Sequence, residues 1–216
     1  ITDNIKNIIK SLNGTTDIIA VDSMLAKQSA LNMLNTKYII YNSNGAPLVN
    51  RNAFGPAWYV KNYLIADNAD AEIKAVGETN LRETAVIDKR FANDMAGLKL
   101  NYDSLAKVEL VSYEPNFLTY QTVAKTEQLL VLSEIYYDKG WNVYIDGQKS
   151  TYLRSDYILR AMRIPQGQHL VEFKFEPQMY KNGERIALIS SLLLIGLILG
   201  AVFFELKSFI AFSGAV

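Results

Sequence analysis

The sequence predicts an α+β protein: an N-terminal mixed α/β part, a C-terminal antiparallel β-sandwich, and one C-terminal transmembrane helix. Three observations carry this. Apolar residues recur at helical spacing early in the chain, short strands separated by turn chemistry crowd residues 105 to 180, and no residue from Ile186 to Phe204 is charged. The expected division is 1–104 for the mixed part, 105–180 for the sandwich, and 181–216 for the membrane helix and a short tail.

In the first part, Ile5, Ile8, Ile9 and Leu12 share one helical face that stops at Asn13-Gly14. A second helix is expected after Asp22 or Ser23 as N-cap, carrying Met24, Leu25, Leu31 and Leu34. The run KYIIY at 37–41 reads as a buried strand, SNGAP as a turn, and AWYVKNYLIA at 57–66 as one further strand. A short helix follows around Ala69 to Val76, then the strand ETAVID at 83–88. Asp67, Asp70 and Glu72 lie at the start of that helix, where acids favourably meet the positive end of its dipole; this reading is preferred to a metal site.

From residue 105 onward six strands are expected: KVELVSY, FLTYQTVA, QLLVLSEI, WNVYID, YILRAMRI and QHLVEFKFE. In the last of these Val171, Phe173 and Phe175 alternate with Glu172, Lys174 and Glu176, which gives one face to a core and one to water. His169 stands at the strand entrance and reads as structural. Asp146-Gly147 after WNVYI predicts a type I′ turn, whose two central residues need positive φ. Asp146 is therefore read as a turn residue and not as a general acid.

The last segment is long enough to span a bilayer, about 28 Å at 1.5 Å per residue. Its only polar side chains are Ser190 and Ser191, and Leu and Ile surround its circumference, so no face suits water. Gly196 and Gly200 form a small-xxx-small pair that lets another helix approach closely. The expected partners of this segment are membrane lipid and upstream transmembrane helices of the same protein; a chain that opens at Ile1 is expected to be part of something longer. The bias of Lys and Arg around the span is too small to fix its orientation.

Composition narrows the function classes. Lys plus Arg and Asp plus Glu are equal at 22 each, leaving no electrostatic footprint for nucleic acid. Without cysteine there is no disulfide, thiolate nucleophile or thiolate-bound zinc, and a single histidine disfavours His-based metal sites and Ser-His triads. No Gly-rich phosphate loop is present, so no cofactor, no metal and no catalytic residue are assigned. The chemistry that stands out is aromatic: SEIYYDKGWNVYIDG at 133–147 carries Tyr136, Tyr137, Trp141 and Tyr144. Flat rings with polar rims either stack on sugars or fill a core. Trp141 shares a strand face with Val143 and Ile145 and reads as core. Tyr136, Tyr137 and Tyr144, with Trp58 from the 54–58 loop, are the candidate glycan contacts.

The blocks LNMLNTKYIIYN (31–42), NRNAFGPAWYV (50–60), YEPNFLTYQTV (113–123), LLVLSEIYYDKGWNVYIDG (129–147) and RAMRIPQGQHLVEFKFEP (160–177), followed directly by a membrane span, resemble the C-terminal part of the YfhO-like bacterial membrane proteins. The resemblance implies a polytopic protein of the GT-C glycosyltransferase type, in which a large extracytoplasmic domain precedes a last helix. Such proteins are linked to transfer of sugars from polyprenyl-phosphate carriers onto cell-envelope polymers. It further implies that residues 1–180 lie outside the bacterial cytoplasmic membrane, cover the membrane site or hold the acceptor, and contact a cell-envelope glycan or polyprenyl-phosphate sugar. The alternative expectation is a non-enzymatic, membrane-anchored carbohydrate-binding or interaction module.

Overall fold

The structure, a computed structural model, describes residues 18–40 and 43–213, with side chains described for all of these except 18–20, 181 and 204–213. The helix expected around Ile5 to Leu12 lies outside the described residues. Two units are present: a β-rich body up to Phe175, and a helical unit from Glu176.

The chain enters the described body through α1 (Ile18–Ala26) and α2 (Ser29–Met33). This corrects the expected single helix capped by Asp22 or Ser23: Asp22 lies inside α1, and the helix breaks at Lys27 and Gln28. Asn32, inside α2, reaches back across the break to donate to the Leu25 carbonyl at 3.0 Å, while Asn50 donates to Asn32 Oδ1 at 2.8 Å. The KYIIY run gives only a two-residue strand, β1 (Tyr38–Ile39), paired with β2 (Leu48–Val49). It is not buried: Tyr38 is 64% and Ile40 76% exposed.

AWYVKNYLIA is two strands and not one, β3 (Ala57–Val60) and β4 (Asn62–Ala66). After β4 come α3 (Ala69–Glu78), β5 (Thr84–Asp88), parallel to β4, and a 3₁₀ segment, Lys89–Met95. Asn68 caps α3 by accepting from the Ala71 N–H at 2.9 Å. The remaining strands are β6 (Lys107–Glu114), β7 (Phe117–Ala124), β8 (Gln128–Ile135), β9 (Trp141–Ile145), β10 (Gln148–Ser150), β11 (Leu153–Ser155), β12 (Leu159–Ile164) and β13 (Gly167–Phe175).

Two sheets form the body. One has five strands in the order β10-β9-β13-β7-β6; the other has six, β3-β8-β12-β11-β5-β4. The second draws strands from both sides of residue 104, and its two edge strands are β3 and β4, separated in the chain by Lys61 alone. A flat six-stranded sheet would hold its edges about 24 Å apart at 4.8 Å per strand. Two residues of chain reach about 7 Å. The sheet is therefore rolled so that its edges approach, and Glu83 marks the corner, its carbonyl accepting from both the Lys61 and Asn62 N–H groups at 2.7 and 3.0 Å. The rolled sheet has two apolar faces. Trp58, Val60, Ala85, Ile87, Leu129, Val131 and Leu159 point to one core with Val76 and Leu81. Ala57, Tyr59, Leu130, Leu132, Met162 and Ile164 point to the other, where Leu118, Tyr120, Val143, Val171 and Phe173 of the five-stranded sheet meet them.

The expected alternation in β13 is present, with Val171 and Phe173 fully buried. So is the turn after β9: Asp146 and Gly147 have φ of +51° and +78°. Asp146 Oδ1 accepts from the Leu170 N–H at 2.8 Å and Oδ2 from His169 Nδ1 at 2.6 Å. That pairing holds the Asp146 carboxyl below its usual range and the His169 imidazole above its own. Both residues thus tie two turns together.

The helical unit is α4 (Gln178–Ser213). Its stretch Gln178–Phe203, 26 residues, is long and apolar enough to cross a membrane, and 0% of its most apolar window is buried within the chain. Ser190 and Ser191 return their hydroxyls to the Ile186 and Ala187 carbonyls, both at 2.8 Å, which hides their polarity inside the helix.

Candidate functional site

The four aromatics expected at a glycan surface do not converge. Trp58 is 4% exposed; its indole N–H donates to the Leu81 carbonyl at 3.1 Å and its ring packs edge-on against Phe54 at 5.0 Å. Its ring is occupied by packing and offers no open face. Tyr144 lies on the face of the five-stranded sheet away from the core, opposite Lys149 and Glu172, with the Lys174 ammonium 5.1 Å from its ring. Tyr137 is 50% exposed just beyond β8, and its carbonyl accepts from the Tyr152 hydroxyl at 2.7 Å.

Tyr136 is the one that enters a cleft. The six-stranded sheet brings the end of β8, the start of β12, the end of β11 and the end of β5 to one rim, and the first turn of α3 ends beneath it. There Arg90, Phe91, Ile135, Tyr136, Arg154, Tyr157 and Ile158 enclose a cavity of about 290 Å³. Tyr136 is held on three sides. Its N–H donates to the Ile158 carbonyl at 2.7 Å, Phe91 meets it edge-on at 5.8 Å, and Tyr152 leans on it at 5.5 Å. Behind this wall, Arg160 is 3% exposed, donates from Nε to the Ile135 carbonyl at 3.0 Å, and lies 4.5 Å from the Trp141 ring and 5.3 Å from that of Phe173. Trp141 thus serves as the core residue its strand position predicts, with a cation against its face.

Under the cleft lies an ionic network that periodicity alone did not reveal. Glu72 is fully buried; Oε2 accepts from Arg154 Nη2 at 2.5 Å and Oε1 from the Tyr157 N–H at 2.9 Å. Arg154 Nη2 also donates to Asp88 Oδ2 at 3.1 Å, and Arg90 grips Asp88 with Nε and Nη2 at 3.1 and 3.0 Å. Arg90 holds the Asp88 carboxyl below its usual range, whereas burial pushes Glu72 up against the opposing pull of Arg154. The expected position of Glu72 at the helix start is present, but its burial and ion pairing go beyond a dipole contact. It does stand in the first turn of α3, but on the same face as the buried Val76, four residues on. An acid on the apolar stripe of an amphipathic helix was the available signal.

The backbone here is unusual too. Asp156 and Tyr157 have φ of +50° and +72°, a region a bulky residue such as Tyr rarely enters. Two contacts hold it: Asp156 Oδ1 accepts from the Val86 N–H at 2.8 Å, and Glu72 captures the Tyr157 N–H. Asp156 is fully buried, and burial pushes its carboxyl up to about 7 despite the Val86 bond. The rim thus combines two guanidiniums, two phenols and a phenyl ring on a backbone fixed by buried carboxylates. No nucleophile–base pair is evident in it, and no His, Asp and Glu cluster suited to a metal occurs among the described residues.

Residues 91–187 match the family described as bacterial membrane protein YfhO. Among curated proteins, the chain is 24% identical over 119 residues to the "Uncharacterized protein YfhO" of Bacillus subtilis (strain 168), an alignment that covers 55% of this chain and 14% of that protein. The chain thus spans a small part of the length of this relative. No solved structure matches. The similarity to YfhO-like membrane proteins thus lies in residues 91–187, which run from the 3₁₀ segment through β6–β13 into the start of α4.

Proposed function

We propose that the β-rich body is the extracytoplasmic part of a YfhO-like glycosyltransferase of the bacterial cytoplasmic membrane, and that it holds the glycan acceptor beside the membrane-embedded site that uses a polyprenyl-phosphate sugar. The observation that carries this reading is the Tyr136 cleft. A pre-formed concavity walled by aromatic rings, with guanidinium donors at its rim, has the make-up of a sugar site: rings accept the C–H face of a pyranose and donors read its oxygens. Tyr136 and Tyr157 supply the faces; Arg90 and Arg154 supply the donors. Tyr144, on a separate sheet face, provides a second contact for a longer polymer. Gly196 and Gly200 form the surface of α4 that meets upstream helices in the bilayer, since a Cβ at either position meets nothing within 4 Å in this chain.

The test is binding of cell-envelope oligosaccharides to the detergent-solubilised full chain on a glycan array. At least one glycan should bind. Tyr136→Ala should weaken that binding tenfold or more, about 1.4 kcal/mol, while Tyr137→Ala should change it less. Absence of binding to any glycan, or binding that survives loss of Tyr136, overturns the reading.

A further inference from the structure

The charges around the cleft are balanced in number but not in position. Arg90 and Arg154 line the cavity, and no carboxylate does. The two acids that neutralise them, Glu72 and Asp88, are 0% and 3% exposed and stand behind the wall. The only charges that a ligand meets on the lining are positive.

Those donors are incompletely used. Arg90 spends Nε and Nη2 on Asp88, and Arg154 spends only Nη2, on Glu72 and Asp88. The Nη1 group of each guanidinium therefore has no protein acceptor among the described residues, and Arg154 Nε is buried with no hydrogen-bond partner. Arg154 Nε is closed off from the cleft, so the Nη1 groups are the donors left for an entering acceptor. The guanidiniums are also pre-positioned: the carboxylates hold them from behind, Arg154 lies 5.4 Å from the Tyr157 ring and Arg90 5.9 Å from that of Phe91. Little side-chain freedom remains to be lost on binding. The planar forks match the two oxygens of a carboxylate or phosphate better than a single hydroxyl.

We propose that this cleft binds a sugar bearing an oxyanion, a carboxylate or a phosphate, with the oxyanion at Arg90 and Arg154 and the sugar ring against Tyr136 and Tyr157. The assignment rests on the reading of the body as a glycan-holding module and adds the ligand's charge. At about 290 Å³ the cavity lies at the small end of ligand sites and suits one ring, not a chain. Glu72 is a positioning residue here: it sets Arg154 and, through the Tyr157 N–H, the backbone that carries one aromatic face.

A ligand-detected NMR titration of the solubilised full chain with glucuronate, glucose 6-phosphate, glucose and inorganic phosphate tests this. At low salt, at least one of the two anionic sugars should bind tenfold or more tightly than glucose, and the difference should shrink as salt is raised. Arg90→Gln should reduce that sugar to the level of glucose. Arg90 is largely exposed and Asp88 keeps Arg154, so the unfolding midpoint of this variant should stay close to that of the parent. Tyr136→Ala should weaken the sugar phosphate more than inorganic phosphate. Equal binding of glucose and the anionic sugars overturns the inference while leaving the glycan reading intact. Inorganic phosphate matching glucose 6-phosphate, with no effect of Tyr136→Ala, overturns the sugar part. Binding of none of the four overturns the inference, and the glycan array then decides the broader reading.

Discussion

At the scale of single residues, the body is built around ionisable groups placed where water is absent. Asp156 is the sharpest case. It keeps one acceptor contact, Val86 N–H to Oδ1, while Oδ2 has no hydrogen-bond partner and the whole residue is buried. Its folded-state carboxyl sits at about 7, above the ordinary 3.8. The proton is thus held more tightly in the folded chain, so this group's contribution to stability is fully present below pH 4 and is lost as pH rises through 7. At 1.36 kcal/mol per unit the loss is on the order of 4 kcal/mol. Asp156→Asn retains the acceptor and tolerates positive φ. Urea unfolding followed by Trp58 and Trp141 fluorescence should therefore show a parent chain that weakens between about pH 4 and 7 and an Asn variant that weakens much less. Equal slopes for the two chains would refute the assignment. His169, whose value is raised by Asp146, changes stability in the same direction, so the variant should flatten the profile without abolishing it. None of this was readable in the string SDY at 155–157, because a buried acid and a solvated one are spelled alike. What identifies Asp156 is its juxtaposition with Val86, seventy positions away in sequence.

At the scale of elements, legibility followed pattern length. The eight-residue strands β6, β7 and β8 and the nine-residue β13 announce themselves because turn residues bracket apolar runs long enough to show period two. The three-residue β10 and β11 do not, having no room for a period. AWYVKNYLIA reads as continuous because no Gly or Pro marks a break. The break at Lys61 is imposed from outside, by the Glu83 carbonyl and by the Glu83 carboxylate 2.5 Å from the Lys61 ammonium. The cleft was legible only in part: Tyr136 stood out by composition, while Arg90, Arg154 and Tyr157 reach it through the rolling of the sheet. The loop between β8 and β9 shows how tightly one element can be specified. Gly140 has φ of +110°, and a Cβ there would stand 2.7 Å from the Phe175 ring, itself packed at a tilt of 52° against Trp141 with centroids 5.4 Å apart. Gly140→Ala incurs both strain and overlap, and should cost about 2 kcal/mol in the urea experiment. Gly77→Ala, in α3 with open space around it, should be neutral or slightly stabilising. Equal effects would mean that Phe175 yields freely.

At the scale of the whole molecule, two solvents are implied by one chain. The body buries its apolar residues between its own sheets, whereas α4 exposes Leu192, Leu193, Leu194, Ile195 and Leu197 by 53–72%. An apolar helix of this length left uncovered is stable in hydrocarbon, where its backbone is satisfied internally and its side chains need no water. The side of the membrane taken by the body does not follow from that, because the charges flanking the span are too few. The absence of cysteine from the sequence makes the question directly measurable. Lys149 lies exposed on the short edge strand β10 and makes no contact that the cleft requires. A Lys149→Cys variant should be labelled in intact cells by a membrane-impermeant maleimide if the body is extracytoplasmic, with no background from the parent chain. Labelling that appears only after the cells are broken would place the body in the cytosol. In that case the cleft would face cytosolic sugars, and the acceptor role proposed for it would fail even with its glycan chemistry intact.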